Sequence, residues 1–269
     1  MTDAATGPEG GRQRRSTRTI LTLIGIGLFA GLLSGLFGVG GGIVIGPALV
    51  LLAGYNQRLA AGTSLAAIVP TATVGVISYA ATGSVSWLAA LLLAVGAVFG
   101  AQIGTALSPR LSQRALQWGF VAFLVIVIAT LFFVIPSRDA VFVVTIWSGI
   151  GLVVLGVITG TLSGLLGVGG GIIVVPMLVL LFGTSDVVAK GTSLLMMIPT
   201  AISGTFGNLR RKNVDLVGAA LIGGAACTTT ALGAWISQSI NPFVGTVVFA
   251  IFLVAIVIRM ALQAMRSGR

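Results

Sequence analysis

The sequence predicts an all-α polytopic membrane protein made of two inverted repeats, each a glycine-interrupted helical hairpin followed by three spanning helices, roughly eight to ten membrane segments in all. Three observations carry that prediction. Only 7% of the 269 residues are charged, 57% are hydrophobic and mean hydropathy is +1.13, whereas soluble domains carry roughly 25% charged residues. The block at 31–47, GLLSGLFGVGGGIVIGP, returns at 160–176 as GTLSGLLGVGGGIIVVP, and at this offset of 129 residues 26 of the 45 positions from Gly31 to Gly75 are identical. The apolar runs approach the ~20-residue length of a spanning helix and lack the period-2 alternation of a porin-type barrel.

In chain order, residues 1–19 form a polar arm in which Arg12, Arg14, Arg15 and Arg18 precede the first apolar run. The run is long and no small-residue cleavage site follows, so the arm reads as a disordered, uncleaved cytoplasmic anchor. Repeat 1 covers 20–135, with apolar runs at 20–37, 43–53, 63–79, 87–107 and 118–135. Pro136, Ser137, Arg138, Asp139 and Ala140 are the linker, too short for a separate domain. Repeat 2 covers 141–260, with runs at 141–166, 172–182, 193–206, 214–236 and 243–260, and 261–269 form a cytoplasmic tail. The run after each glycine block spans roughly 16 Å of helix, about half the hydrocarbon thickness. It is either a re-entrant half-helix or a short crossing completed by the residues that follow.

Basic residues separate these two topologies. If each glycine-interrupted unit crosses once, Arg58, Arg110, Arg114 and Lys190 fall outside and 11 of the 15 basic residues lie inside; if it returns, only Arg138 and Lys190 are outside and 13 of 15 are cytoplasmic. The returning hairpin is favoured. It places both termini and the 110–114 loop in the cytoplasm, puts Gly83 and Asp139 outside, and leaves Lys190 in an exterior loop close to Asp186. It also makes the second repeat enter from the opposite face. The formal charge of +10 is explained by topology rather than by nucleic acid, since the basic residues cluster at termini and between runs. The lone Cys227 can form no intramolecular disulfide.

A glycine run cannot itself be stable helix, and in a membrane irregular backbone persists only where protein buries it or it lines a cavity. Gly38, Val39, Gly40, Gly41 and Gly42, with Gly167, Val168, Gly169, Gly170 and Gly171, expose backbone groups next to a helix N-terminus that favours an anion. Close helix packing or a kink is the competing structural reading. The duplicated hydroxyls Thr63, Ser64, Thr192 and Ser193 are suited to donating to the oxygens of an anion, and Ser34, Ser163, Thr71 and Thr200 form a second set. Such hydroxyls equally bond carbonyls of their own helix. Asn208, next to Arg210, Arg211 and Lys212, is at least as well suited to an interfacial role. There is no histidine, and the five acids lie in the arm or near span ends, so no proton relay, metal cluster, cofactor motif or hydrolase pair is visible.

At the paired S-G-L-[FL]-G-V-G-G-G-I-x-x-x-P blocks and the A-x-G-T-S boxes at 60–64 and 189–193, the chain resembles the TauE/SafE family of membrane permeases over nearly all of 20–260. The resemblance implies a multi-pass bacterial inner-membrane carrier, and not an enzyme, that exports or takes up sulfite, sulfoacetate or other organosulfur anions. It sets the glycine blocks with Thr63, Ser64, Thr192 and Ser193 near the translocation site. The implied partners are a small anionic substrate and the lipid bilayer, with no metal or cofactor. An anion channel or a non-transporting membrane scaffold is the alternative.

Overall fold

The computed structural model describes residues 16–107, 145–166 and 169–266, with eight further positions between 118 and 129. Its helices are α1 (Thr17–Phe37), α2 (Gly42–Leu52), α3 (Gln57–Ala80), α4 (Trp87–Leu107), α5 (Ile146–Leu166), α6 (Gly171–Phe182), α7 (Asp186–Arg210), α8 (Leu216–Ser239) and α9 (Pro242–Arg266). No strand occurs among the described residues. Seven of these helices are long and apolar enough to cross a membrane, and α2 and α6 are short and apolar. Large apolar side chains such as Leu21, Phe99, Trp147, Leu181 and Trp235 are 64–83% exposed on the outer surface, where a bilayer satisfies them. This is a multi-pass membrane protein. The linker at 136–140, the 110–114 loop and the first fifteen residues of the arm lie outside the described residues.

Helix ends follow local chemistry. α1 stops at Gly38, whose left-handed φ of 69° lets its N–H close on the Ser34 carbonyl at 2.8 Å. α3 and α7 begin earlier than the apolar runs at 63 and 193 suggest. The reason is capping: Asn56 Oδ1 accepts from the Leu59 N–H at 2.9 Å and Ser185 Oγ from the Val188 N–H at 3.3 Å. These caps make helix from polar first turns that hydropathy alone reads as loop. α9 likewise runs on to Arg266, through most of what the apolar pattern assigns to the tail.

Two pairs of helices pack almost backbone to backbone. Gly27, Gly31 and Gly35 of α1 lie on the carbonyls of Ile222, Ala226 and Thr230 in α8, and Gly96, Gly100 and Gly104 of α4 lie on those of Val153, Val157 and Thr161 in α5. A Cβ at any of them would overlap a carbonyl oxygen, so the four-residue glycine spacing is what permits the approach. Numbers rise together in both pairs, which are therefore parallel. By contrast α3 and α7 are antiparallel: Gly75 faces Leu194, Gly204 faces Leu65, and Gly191 faces Tyr79.

Under the 129-residue offset α1, α3 and α4 correspond to α5, α7 and α8. Exchanging the repeats converts the α1–α8 contact into the α5–α4 contact and converts Gly75–Leu194 into Gly204–Leu65. The glycine-interrupted unit turns back on itself. Leu23, Ile26 and Ala30 of α1 share one buried cluster with Ile45 and Leu49 of α2 and with Ala219 and Ile222 of α8. The Tyr55 hydroxyl, just past α2, donates to Asp215 at the cap of α8, the end from which α1 sets out beside it. Thus α2 leads the chain back to its starting side, deciding between the two readings of the short run.

Candidate functional site

The two glycine turns meet. Gly40 and Gly41 have φ of 67° and 74°, Gly169 and Gly170 have 84° and 80°, a region closed to most side chains. A Cβ built on Gly171 would lie 2.9 Å from both the Gly38 carbonyl oxygen and Val39 Cα, so the start of α6 touches the turn before α2. Gly40 and Gly169 converge on one pair of side chains, Ile68 from α3 and Met197 from α7. A Cβ at Gly40 would sit 3.2 Å from Ile68 Cγ2 and one at Gly169 2.9 Å from Ile68 Cδ1, each also overlapping Met197 Cε. Ile68 and Met197 are fully buried repeat equivalents midway along their helices. Gly167 and Val168 lie outside the described residues.

Backbone polarity at this junction is high for a membrane interior. The N-caps Gly41 and Gly170 supply no side-chain acceptor, and while the Val44 and Ile173 N–H groups close on the Gly41 and Gly170 carbonyls at 3.0 Å, the two N–H groups before each of them receive no side-chain cap. Pro47 and Pro176, at matching places in α2 and α6, each remove one helical hydrogen bond, as do Pro70 and Pro199 in mid-α3 and mid-α7. The hydroxyls of Ser34, Ser163 and Ser193 are buried and have no hydrogen-bond partner. Ser34 is the residue whose carbonyl holds the Gly38 N–H, and Ser163 Cβ would lie 3.7 Å from a Cβ on Gly170. Ser64, the repeat equivalent of Ser193, bonds the Gly42 carbonyl at 3.3 Å. Buried hydroxyls without partners are uncommon, and here they accompany the N-termini of two half-helices.

The remaining sequence-predicted residues have other engagements. Thr63 Oγ1 accepts from the Asp215 N–H and Thr192 Oγ1 from the Ser86 N–H, both at 3.0 Å, which pins the starts of α8 and α4; each hydroxyl keeps a proton to donate. Thr71 and Thr200 bond back to Ala67 and Met196 of their own helices at 2.8 and 2.9 Å. Asn208 donates to Gly204 at 2.9 Å. It packs against Gly62, away from the junction.

Lys190 is not in an exterior loop. It and Asp186 both belong to α7 and are each 6% exposed, because the Ser185 cap extends the helix over them. Lys190 Nζ bonds Asp186 Oδ2 at 3.2 Å and Ser237 Oγ at 2.8 Å. Its stem packs on Gly38, where a Cβ would lie 2.6 Å from Lys190 Cα. Close by, the fully buried Tyr79 donates to the Gly35 carbonyl at 2.7 Å. Hydropathy counting missed this cluster. The signal was present in the repeat alignment, where Lys190 and Asp186 replace Ala61 and Gln57. Among the described residues there is no group of three or more His, Cys, Asp or Glu side chains able to hold a metal.

A family model described as "Sulfite exporter TauE/SafE" matches residues 4–131 and 152–269. Among curated relatives, the probable membrane transporter protein YunE of Bacillus subtilis is 28% identical over 232 residues, 77% of this chain and 85% of that protein. A probable membrane transporter protein of Haemophilus influenzae is 32% identical over 194 residues, 70% and 72% of the two chains. MJ0441 of Methanocaldococcus jannaschii, also a probable membrane transporter, is 30% identical over 163 residues, 58% and 60%. No solved structure matches the chain. With the duplicated glycine blocks, the all-helical membrane fold and family matches in both repeats, the chain belongs to the sulfite exporter TauE/SafE family of membrane transporters.

Proposed function

We propose that the protein is a secondary carrier that exports a small sulfur-containing oxyanion, such as sulfite, sulfoacetate or an organosulfonate, from the cytoplasm across the inner membrane. The observation that carries this reading is the junction of the two glycine turns, where two half-helix N-termini lie in the protein interior with the unpartnered hydroxyls of Ser34, whose carbonyl holds the Gly38 N–H, and of Ser163, beside Gly170. Such an arrangement offers N–H and O–H donors to anion oxygens. The antiparallel packing of α3 on α7 supports an inverted relation between the repeats, with one hairpin entering from each face. Rocking one repeat against the other then exposes the junction alternately to the two sides. Ile68 and Met197, which fill the junction in this conformation, favour a carrier over an open channel. Purified protein in liposomes, offered a panel of labelled sulfite, sulfoacetate, organosulfonates and unrelated anions, tests the reading. Saturable flux that is accelerated by unlabelled substrate on the far side supports it. Non-saturating flux without counter-flow points to a channel, and no flux of any anion to a scaffold.

A further inference from the structure

The Asp186–Lys190 pair is poorly arranged for a stabilising role. Its side chains are only 8–9% exposed, and removing two charges from water is repaid only when the remaining polar atoms are also satisfied. Here Asp186 Oδ1 is buried without a hydrogen-bond partner, as is the nearby Thr184 hydroxyl. The pair also has no counterpart at the other end of the molecule, where the repeat-equivalent residues are Gln57 and Ala61. An ionisable group retained inside a membrane protein under these conditions marks a ligand path. The placement is specific: the stem of Lys190 rests on Gly38, the first residue of the turn before α2, while Nζ reaches Ser237 on α8 and lies 4.0 Å from the Cβ position of Gly245 on α9.

We propose that Lys190 is a binding residue for the transported oxyanion, and that Asp186 is its resting counter-charge, displaced when the anion arrives. This rests on the transport reading above and adds to it a cationic partner on one side of the glycine junction. The exchange is chemically balanced, with no bond made or broken. Lys190 passes from one carboxylate to another oxyanion, and the released carboxylate, at the first position of α7, remains next to that helix's N-terminus, where negative charge is favoured. Ser237, whose hydroxyl already holds Nζ, keeps the ammonium in place during the exchange. The absence of such a pair at the repeat-equivalent position makes the two approaches to the junction unequal.

The test is initial-rate uptake of labelled sulfite into proteoliposomes carrying the full chain at matched protein abundance. Lys190→Met alone strands a buried carboxylate and risks misfolding, so the decisive variant is Lys190→Met with Asp186→Asn, which keeps the volume and removes both charges. The expected result is normal abundance with KM raised by about tenfold or more, and for Asp186→Asn alone a KM several-fold below wild type, because the competing carboxylate is gone. Wild-type KM and rate in the double variant would overturn the inference while leaving the transport reading intact. Wild-type protein that moves no anion of the panel would overturn the transport reading itself, and this inference with it.

Discussion

Gly40→Ala is the substitution that examines the junction most sharply. The residue has φ of 67°, and an L-residue in that region costs roughly 1–2 kcal/mol. The new Cβ would overlap Met197 Cε and approach Ile68 Cγ2 to 3.2 Å. Met197 is unbranched and yields by leaving its preferred rotamer, at about 0.5–1.5 kcal/mol. The sum is about 1.5–3.5 kcal/mol, a factor of roughly 10–300 in the folding equilibrium. Gly169→Ala meets the same methionine, so Met197 needs to move only once and the double variant should lose about 1 kcal/mol less than the sum of the singles. Gly46→Ala is the control: it is helical with nothing within 4 Å of its Cβ position, and gains up to about 1 kcal/mol from helix propensity. Unfolding in detergent, followed for all four variants, reads these differences. Gly40→Ala as well tolerated as Gly46→Ala, or fully additive alanines at 40 and 169, would refute the claim that both turns close on one side chain.

Three further outcomes are expected. Tyr55→Phe removes the hydrogen bond to Asp215 that ties the end of the first hairpin to α8, and unfolding should show a loss of about 1.5–3 kcal/mol, the range for bonds to charged groups. In a Cys227→Ala background, a cysteine at Gly83 should be labelled from outside the cell and one at Lys212 only after permeabilisation; the reverse pattern would overturn the assignment of faces. Net anion efflux should respond to an imposed potassium–valinomycin potential at equal pH and without Na⁺, since one charge moving through 100 mV gains about 2.3 kcal/mol; efflux that ignores the potential and starts only with a pH gradient would contradict this.

The parts of the fold read correctly from sequence are those written in the repeat. The 129-residue offset located both glycine breaks, both short half-helices and the correspondence of α3 with α7, because glycine in left-handed turns and proline inside a helix leave residue types that nothing else explains. Charge counting chose the returning hairpin, which the Leu23, Ile26 and Leu49 cluster and the Tyr55–Asp215 bond display directly. Hydropathy failed where polar residues are buried. Asp186 and Lys190 read as loop because each is unfavourable in lipid alone, and their contact with each other and with Ser237, 47 residues away from Lys190, is invisible to a hydropathy count. Ile68 and Met197 were illegible for the opposite reason: an apolar side chain in an apolar helix carries no mark of facing the other repeat. For the hydroxyls, composition identified the set but not the engagements. Thr63 and Thr192 hold neighbouring helix starts, Thr71 and Thr200 hold their own helices, and Ser34, Ser163 and Ser193 are the ones without partners.

The proposed function requires a small oxyanion to cross at the meeting point of the two glycine turns. Counter-flow of labelled sulfite or sulfonate in proteoliposomes, compared between wild type and the Gly40→Leu and Gly169→Leu variants at equal membrane abundance, tests it most directly. A leucine at either position competes for the space held by Ile68 and Met197 at the junction, while the spans that drive insertion are untouched. The expected result is saturable, trans-stimulated flux in the wild type and none in either variant with insertion preserved; normal flux in both leucine variants would overturn the proposed function.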